Sequence, residues 1–180
     1  MDRKTWLGGL ATAACLAAAA PSLAGSLDRL TGYAELRFGL TVEEASALTG
    51  ASSSRAEGGA LIETRETLVG RPALRQLWFS EGKLSRIVFR WSVEDRADPG
   101  LCRTLFKELT GVVAGRYAKP VQGPTEIEAG TEFTGGAFWV FADGANIGLS
   151  ANYAPRGSGA RACQAMLSFR AAPGKDAAGG

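Results

Sequence analysis

The chain has 180 residues, with 20 Lys and Arg against 18 Asp and Glu, so its formal net charge is only +2. That balance argues against a nucleic-acid partner, and a hydrophobic fraction of 46% is too high for a disordered chain. The sequence contains no His, which excludes Ser–His and Cys–His nucleophile pairs, His-ligated zinc and any imidazole base.

Residues 1–24 are predicted to be a cleaved export signal. Arg3 and Lys4 precede an uncharged apolar run from Trp6 to Ala20, and small residues stand before the cleavage point after Ala24. The apolar run is too short and too rich in alanine for a membrane span, which needs about 20 residues. We therefore expect a bacterial protein that is periplasmic or secreted and has no membrane span.

Cys15 offers an alternative within the same segment, because its surroundings resemble the lipid-attachment box of bacterial lipoproteins. Two small residues precede Cys15, as that box requires, but Thr12 stands where a Leu-like residue is usual. More alanine also follows Cys15 in place of a polar linker. We expect no lipid anchor at Cys15 and a mature chain that begins at Gly25.

The first half of the mature chain is predicted to hold a short helix followed by strands. Thr41 and Glu44 have the spacing of a capping box, and Gly50 supplies a left-handed stop, so a helix is predicted over Val42 to Thr49. A short strand from Tyr33 to Phe38 could precede it. A Ser- and Gly-rich loop, Ala51 to Gly59, is followed by three apolar strands: Ala60 to Val69, Ala73 to Phe79 and Lys83 to Trp91.

The last two of these strands flank a hairpin turn at Ser80-Glu81-Gly82, whose register the sequence leaves open. A two-residue turn would place Trp78 on the same face as Ile87 and Phe89. A bulge at Gly82 would instead place Leu77 and Phe79 there. A slip of one residue moves every side chain to the other face of the sheet.

The second half repeats this layout. Asp98 and Pro99 form an N-cap and a first helical position, and the predicted helix ends before Pro120. Its broad apolar stripe suits packing on a sheet. The remaining predicted segments are a loop, three strands and a disordered tail: Val121 to Gly130, Glu132 to Phe141, Ile147 to Tyr153, Ala162 to Arg170 and Ala171 to Gly180.

Cys102 and Cys163 are predicted to form a disulfide. Once the signal is removed they are an even pair, and an exported protein meets oxidising conditions. Cys102 lies within the apolar stripe of the second helix, and Cys163 shares a strand face with Leu167 and Phe169. Both therefore point to the same interface between helix and sheet.

The predicted fold class is α+β, with two layers in which helices pack on an antiparallel sheet in the order (β)-α-βββ-α-βββ. We expect one domain over residues 25–170. Its two halves, about 33–95 and 96–170, match in element order but show no residue-level repeat.

Two segments resemble small bacterial envelope modules. These are the run from Phe38 to Ala45 with its Leu-Thr-Gly stop, and the hairpin from Trp78 to Leu84. They are similar to the SmpA/BamE-type outer-membrane assembly lipoproteins and the tandem-repeat β-lactamase inhibitor proteins, in which a G-x-[ST]-x-x-E helix precedes an antiparallel sheet. The segment from Leu101 to Pro120 resembles helices of the same group. The resemblance implies a binding or assembly role without catalytic residues.

Carboxylates are the catalytic candidates that remain in a chain without His. Glu63 and Glu66 lie three residues apart on one strand and so face opposite ways, while Glu126 and Glu128 lie in a predicted loop. Neither pair is identifiable as two carboxylates across a cleft, as glycoside hydrolysis requires. Glu126, Glu128 and Glu132 lack the spacing of a calcium loop. We interpret them as surface charge and predict no catalytic residue, metal or cofactor.

Aromatic and arginine residues are interleaved on the predicted strands. Phe138, Trp139 and Phe141 are too closely spaced to face one core, and helices on one side would leave the other face of the sheet open. Trp and Arg are enriched at protein-binding hot spots. The alternative is core packing, with arginine stems covering apolar surface. The sequence thus predicts a binding face formed by Trp78, Trp91, Trp139, Arg86 and Arg90.

The function we expect is that of an exported, non-catalytic binding or assembly module. Its partner would be an envelope or secreted protein, or a second copy of the chain. The runner-up is a hydrolase that uses carboxylates alone on envelope glycans. A deep cleft that holds a Glu of strongly raised pKa would favour the hydrolase, whereas a flat aromatic and basic sheet face would favour the module.

Overall fold

The structure is a computed structural model that describes residues 29–56, 59–94, 99–117, 119–129, 132–155 and 161–174. The predicted export signal, its cleavage point and Cys15 lie outside these ranges. Within these ranges, no helix has both the length and the apolar character needed to cross a membrane.

Two helices and ten strands make up the described chain. The first half contains β1 (Gly32–Tyr33), β2 (Leu36–Arg37), α1 (Val42–Thr49), β3 (Ser53–Ala56), β4 (Gly59–Leu68), β5 (Arg71–Ser80) and β6 (Lys83–Glu94). The second half contains α2 (Pro99–Tyr117), β7 (Gln122–Ala129), β8 (Glu132–Val140), β9 (Asn146–Pro155) and β10 (Arg161–Arg170).

The predicted α+β class and its element order are wrong. Strands hold 58% of the described residues and helices only 21%, so the protein is mainly β. Each helix is followed by four strands instead of three, because β3 and β7 lie in the segments 51–59 and 121–130 that were predicted to be loops. β7 is exposed at every position and β3 at all but one, so neither has the alternation that marks a half-buried strand.

The eight longer strands form one antiparallel sheet in the order β3-β4-β5-β6-β10-β9-β8-β7. Each half of the chain supplies one four-stranded meander. The two meanders meet in the middle of the sheet, where β6 pairs with β10 from Arg86↔Arg170 to Glu94↔Ala162. The halves are therefore joined through backbone hydrogen bonds into a single continuous sheet.

One face of this sheet, called here the core face, carries the apolar core. Ile87, Phe89 and Trp91 alternate onto it from β6, and Leu167 and Phe169 face it from β10. Both helices pack on this side: α2 lies against β8, β9 and β10, and α1 lies near β4 and β6. Of the predicted apolar stripe of α2, Leu105 and Leu109 are buried, together with Cys102, Phe106 and Val113, whereas Val112 is 47% exposed.

Gly135 allows α2 to approach β8 closely. A Cβ atom at Gly135 would lie 2.9 Å from Cγ of the Phe106 ring, so a larger residue would push the helix away from the sheet. Gly136, the next residue, points to the opposite face, and a Cβ there would meet nothing within 4 Å. Only the first of these adjacent glycines is required by the packing of the core.

The predicted disulfide is confirmed. Cys102 in α2 is bonded to Cys163 in β10, with a Cα–Cα distance of 5.3 Å, within the usual range for disulfides. Both residues are buried in the core. The bond connects the long helix to a central strand across a sequence separation of 61 residues.

The predicted caps of α1 are also confirmed. The Thr41 N–H donates to the Glu44 carboxylate at 2.7 Å, and the Glu44 N–H donates to the Thr41 hydroxyl at 3.2 Å. The hydrogen bond from the Thr41 backbone is the main cause that lowers the pKa of Glu44. Gly50 ends the helix with φ 66°. In place of one strand over Tyr33 to Phe38, the preceding segment forms the small hairpin of β1 and β2.

The hairpin between β5 and β6 combines features of both predicted registers. The turn has two residues, Glu81 and Gly82, both with positive φ, as a type I′ turn requires. Phe79 pairs with Leu84, but Trp78 pairs with Arg86. This irregularity places a bulge at the intervening residue of β6, so Leu77 and Phe79 face the core and Trp78 faces away.

The C-terminal segment continues along the sheet beyond β10. The Ala171 N–H donates to the Ser85 carbonyl at 2.9 Å, and Ala172 packs against the core. The remainder of the predicted disordered tail, residues 175–180, lies outside the described ranges.

Candidate functional site

The face of the sheet opposite the core face is called here the open face. Because both described helices pack on the core face, neither covers it. Strand alternation defines its members, since paired residues on neighbouring antiparallel strands share a face. Across the centre of the sheet these are Leu61, Glu63, Arg65, Leu74, Gln76, Trp78, Arg86, Val88, Arg90, Gln164, Met166, Ser168, Arg170, Gly148, Ser150, Asn152, Gly136 and Phe138.

Three of the five predicted binding residues lie on the open face. Trp78 is partly buried there and pairs with Arg86 on the neighbouring strand. Arg90 is exposed and lies between Leu74 of β5 and Met166 of β10. The structure therefore brings these three predicted side chains onto one surface.

The assignment of Trp91 and Trp139 to that surface is corrected by the structure. Trp91 is 2% exposed and Trp139 is fully buried, and both belong to the core. Trp91 lies two residues from Phe89 on β6, and Trp139 lies two residues before Phe141, which directly follows β8. Each Trp therefore faces the same side as its buried neighbour, which is the side covered by the helices. The prediction that aromatic residues of the 138–141 segment divide between two faces is nevertheless confirmed, because Phe138 points to the open face.

Sequence reasoning missed several open-face residues. Phe138 could have been found by alternation, since it is adjacent to the buried Trp139. Arg170 carried no signal in the sequence, because its position depends on the pairing of β10 with β6, where it lies directly opposite Arg86. Met166 occupies the same strand and lies opposite Arg90.

Two depressions adjoin on the open face and share Ser150 and Met166. The glycine-floored depression, about 620 Å³, has Gly136 and Gly148 at its base. Its wall residues include Gln122, Phe138, Met166, Arg86 and Arg170. The Arg90 depression, about 670 Å³, is lined by residues that include Arg65, Leu74, Arg90, Asn152 and Gln164.

The electrostatics of the glycine-floored depression are set by two arginines. Arg86 and Arg170 occupy directly paired positions, and like charges so placed repel each other. The Arg86 Nε–H donates to the Ser168 hydroxyl at 3.1 Å, a neutral acceptor. Partial burial, followed by the charges of Arg170 and Arg90, lowers the pKa of Arg86. The arrangement therefore concentrates positive charge that the described chain does not neutralise.

Four cations on the helix side of the sheet are arranged differently, because they have carboxylate partners. The pairs are Arg71–Glu108 at 3.8 Å, Arg75–Glu66 at 2.8 Å, Lys107–Glu126 at 3.7 Å and Arg103–Glu128. Within the described chain, the guanidinium groups of Arg65, Arg86, Arg90 and Arg170 form no ion pair. Glu63, also on the open face, accepts a hydrogen bond from Gln76 Nε2 at 2.6 Å.

The candidate catalytic carboxylates do not converge. Glu63 and Glu66 point to opposite faces, as predicted, and Glu126 and Glu128 are ion-paired with α2. No described carboxylate lines either depression of the open face. Among the residues that the structure describes, no three acidic or cysteine side chains lie close enough together to hold a metal ion.

Comparison of the chain with known proteins gives no relative. It matches no family model, and neither the curated proteins nor the solved structures provide a match. The resemblance to the small envelope modules therefore stays a prediction, and the geometry of the open face is the basis for inferring a function.

Proposed function

We propose that this protein is an exported, non-catalytic binding module that holds another protein on the open face of its sheet. The observation that carries the proposal is the composition of that face. It combines apolar side chains that reach solvent with arginines that lack ion partners in the described chain. Arg, aromatic residues and Met are enriched at protein–protein interfaces.

The apolar part of this surface extends to the edge formed by β7 and β8. Val140 is 42% exposed and Ile127 is 60% exposed, and both point to the open face. Phe138 and Met166, both partly exposed, continue the apolar surface towards the middle of the sheet. Phe138 and Val140 are neighbours on this face of β8, and exposed apolar surface bordered by polar groups is typical of a docking site.

The extent of the surface supports a macromolecular partner. The two depressions reach from Arg65 on β4 to Phe138 on β8, which are separated by five strand spacings. At about 4.8 Å per spacing this is about 24 Å, which exceeds the reach of most small ligands and suits one side of a protein interface.

The disulfide supports the export part of the proposal, since such bonds persist in oxidising compartments. We expect protein recovered from the bacterial envelope or medium to begin at Gly25, which N-terminal sequencing and intact-mass measurement would show. An acylated N-terminus at Cys15 would contradict this expectation and place the protein on a membrane surface.

The binding proposal is tested by substitutions on and off the open face. The tagged mature protein is used to capture partners from envelope extracts, and bound proteins are identified by mass spectrometry. Trp78→Ala and Phe138→Ala are expected to abolish capture while leaving the circular dichroism spectrum unchanged. Val112→Ala is the control, because Val112 is 47% exposed on α2, away from this face.

Several outcomes would contradict the proposal. Capture that survives both open-face substitutions, or that Val112→Ala abolishes, would place the interface elsewhere. Light scattering determines the oligomeric state in parallel. A dimer that Trp78→Ala dissociates would identify a second copy of the chain as the occupant of the face.

A further inference from the structure

We infer that the partner held by the open face is an acidic protein, whose carboxylates pair with Arg86 and Arg170 and whose apolar side chain enters the glycine-floored depression. This inference rests on the proposed function, because it specifies the chemistry of the partner for the same face. Three features of the described residues support it.

The first feature is the placement of like charges. Arg86 and Arg170 lie opposite each other on adjacent strands, where repulsion makes the pair unfavourable unless an anion lies between them. The chain forms four ion pairs on the helix side, but no described carboxylate lies within ion-pair distance of Arg86 or Arg170. Two arginines at directly paired positions suit pairing with carboxylates, which a guanidinium group can bind in a bidentate manner.

The second feature is space that the fold itself does not require. A Cβ atom at Gly136 would meet nothing within 4 Å, and one at Gly148 would meet only the Phe138 ring, at 3.8 Å, an ordinary contact. Gly135, in contrast, must lack a side chain because Phe106 packs on it. Gly136 and Gly148 therefore leave room on the surface for a group from another molecule.

The third feature is the chemistry of the walls around that room. The Phe138 ring and the Met166 thioether offer apolar contact on two sides, and the guanidinium groups of Arg86 and Arg170 also line the depression. An aromatic or large aliphatic side chain fits the apolar walls. A neighbouring Asp or Glu of the same partner would then reach the arginines.

The probe for this inference is a phage-displayed library of random dodecapeptides, selected on the mature protein with its disulfide intact. We expect the enriched sequences to be acidic and to carry an aromatic or large aliphatic residue next to Asp or Glu. Selected peptides are synthesised together with controls in which every Asp and Glu is replaced by Asn and Gln. The controls are expected to bind about 10- to 100-fold more weakly.

Variants of the protein test the two expected contacts, which are the ionic contact with the arginines and the apolar contact in the glycine-floored depression. Arg86→Gln and Arg170→Gln are each expected to weaken peptide binding at least about tenfold and to reduce its dependence on NaCl concentration. Arg103→Gln, a change of the same kind on the helix side, should leave binding unchanged. Gly148→Leu is expected to block binding by filling the depression. Gly111→Leu, in open space on α2, is its control.

A thermal measurement separates a binding role from a structural one. If Arg170 binds a partner and does not stabilise the fold, Arg170→Gln removes the repulsion between Arg170 and Arg86. The Tm of this variant is then equal to or above that of the parent protein. A clear fall in Tm would show that Arg170 stabilises the chain itself and would overturn its assignment to the partner.

The outcomes also distinguish this inference from the proposed function. Enrichment of neutral or basic peptides, no enrichment at all, or binding to Arg86→Gln and Arg170→Gln that equals binding to the parent protein would overturn the acidic partner. If Trp78→Ala and Phe138→Ala still abolish protein capture in that event, the proposed function stands. Peptide binding and protein capture that no open-face variant affects would overturn both.

Discussion

Replacing Cys102 and Cys163 together by alanine is expected to lower the free energy of unfolding by about 4 kcal/mol, as the chain-entropy model gives for a loop of this length. The bond closes 61 residues of sequence in the unfolded chain, so its loss lets the unfolded state gain entropy. For a domain of this size the corresponding fall in Tm is about 10 °C. Chemical denaturation followed by circular dichroism measures the change.

Reduction of the parent protein provides the matched control for this prediction. A reductant should lower the stability of the parent by a similar amount and leave the double alanine variant unaffected. Peptide mapping without reductant should recover the two cysteines as one linked fragment. If the parent protein is equally stable with and without reductant, the prediction that the disulfide between α2 and β10 stabilises the fold is contradicted.

Trp139→Ala is expected to lower the free energy of unfolding by about 3–5 kcal/mol, the usual cost of removing a large aromatic side chain from a core. Trp139 is fully buried on the core face, and its neighbours cannot close the resulting cavity without moving α2 or the sheet. The change is measured by denaturant unfolding followed by circular dichroism, because the substitution also removes a fluorophore.

Trp78→Ala is the matched comparison, since the same residue type is replaced on the open face. Its expected cost is about 1 kcal/mol or less, because the side chain is only partly buried and no helix packs on it. The pair of variants tests the division of aromatic residues between the faces. Equal costs would show that Trp78 belongs to the core and that the open face is smaller than described.

These two tests also separate stability from binding. Trp139→Ala is expected to lower the free energy of unfolding. Trp78→Ala is expected to abolish partner capture while the fold is retained. A glycine comparison follows the same division, since Gly135 is required by Phe106 and Gly148 leaves space on the surface. Residues of the same type thus serve different purposes on opposite faces of the sheet.

Features that depend on local chemistry could be predicted from the sequence alone. The capping box at Thr41 and Glu44 and the glycine stop at Gly50 predicted the bounds of α1 correctly, because capping hydrogen bonds join residues close in sequence. Pro99 marked the start of α2, because its fixed φ suits a helix and the first turn does not need its missing N–H. Strands that alternate between core and solvent were found close to their observed bounds, and the even cysteine count with a shared face predicted the disulfide.

The full set of strands in the sheet, and the residues that share a surface, depend on contacts between distant parts of the chain. β3 and β7 lie at the two edges, where exposure on both faces removes the alternation that would reveal a strand. The bulge after the β5–β6 turn set the phase of Trp78, and a one-residue slip reverses every side chain beyond it. Arg86 and Arg170 are distant in sequence and meet only because β6 pairs with β10. Contacts between distant strands depend on how the whole chain packs its core, so no local pattern could bring those two arginines together.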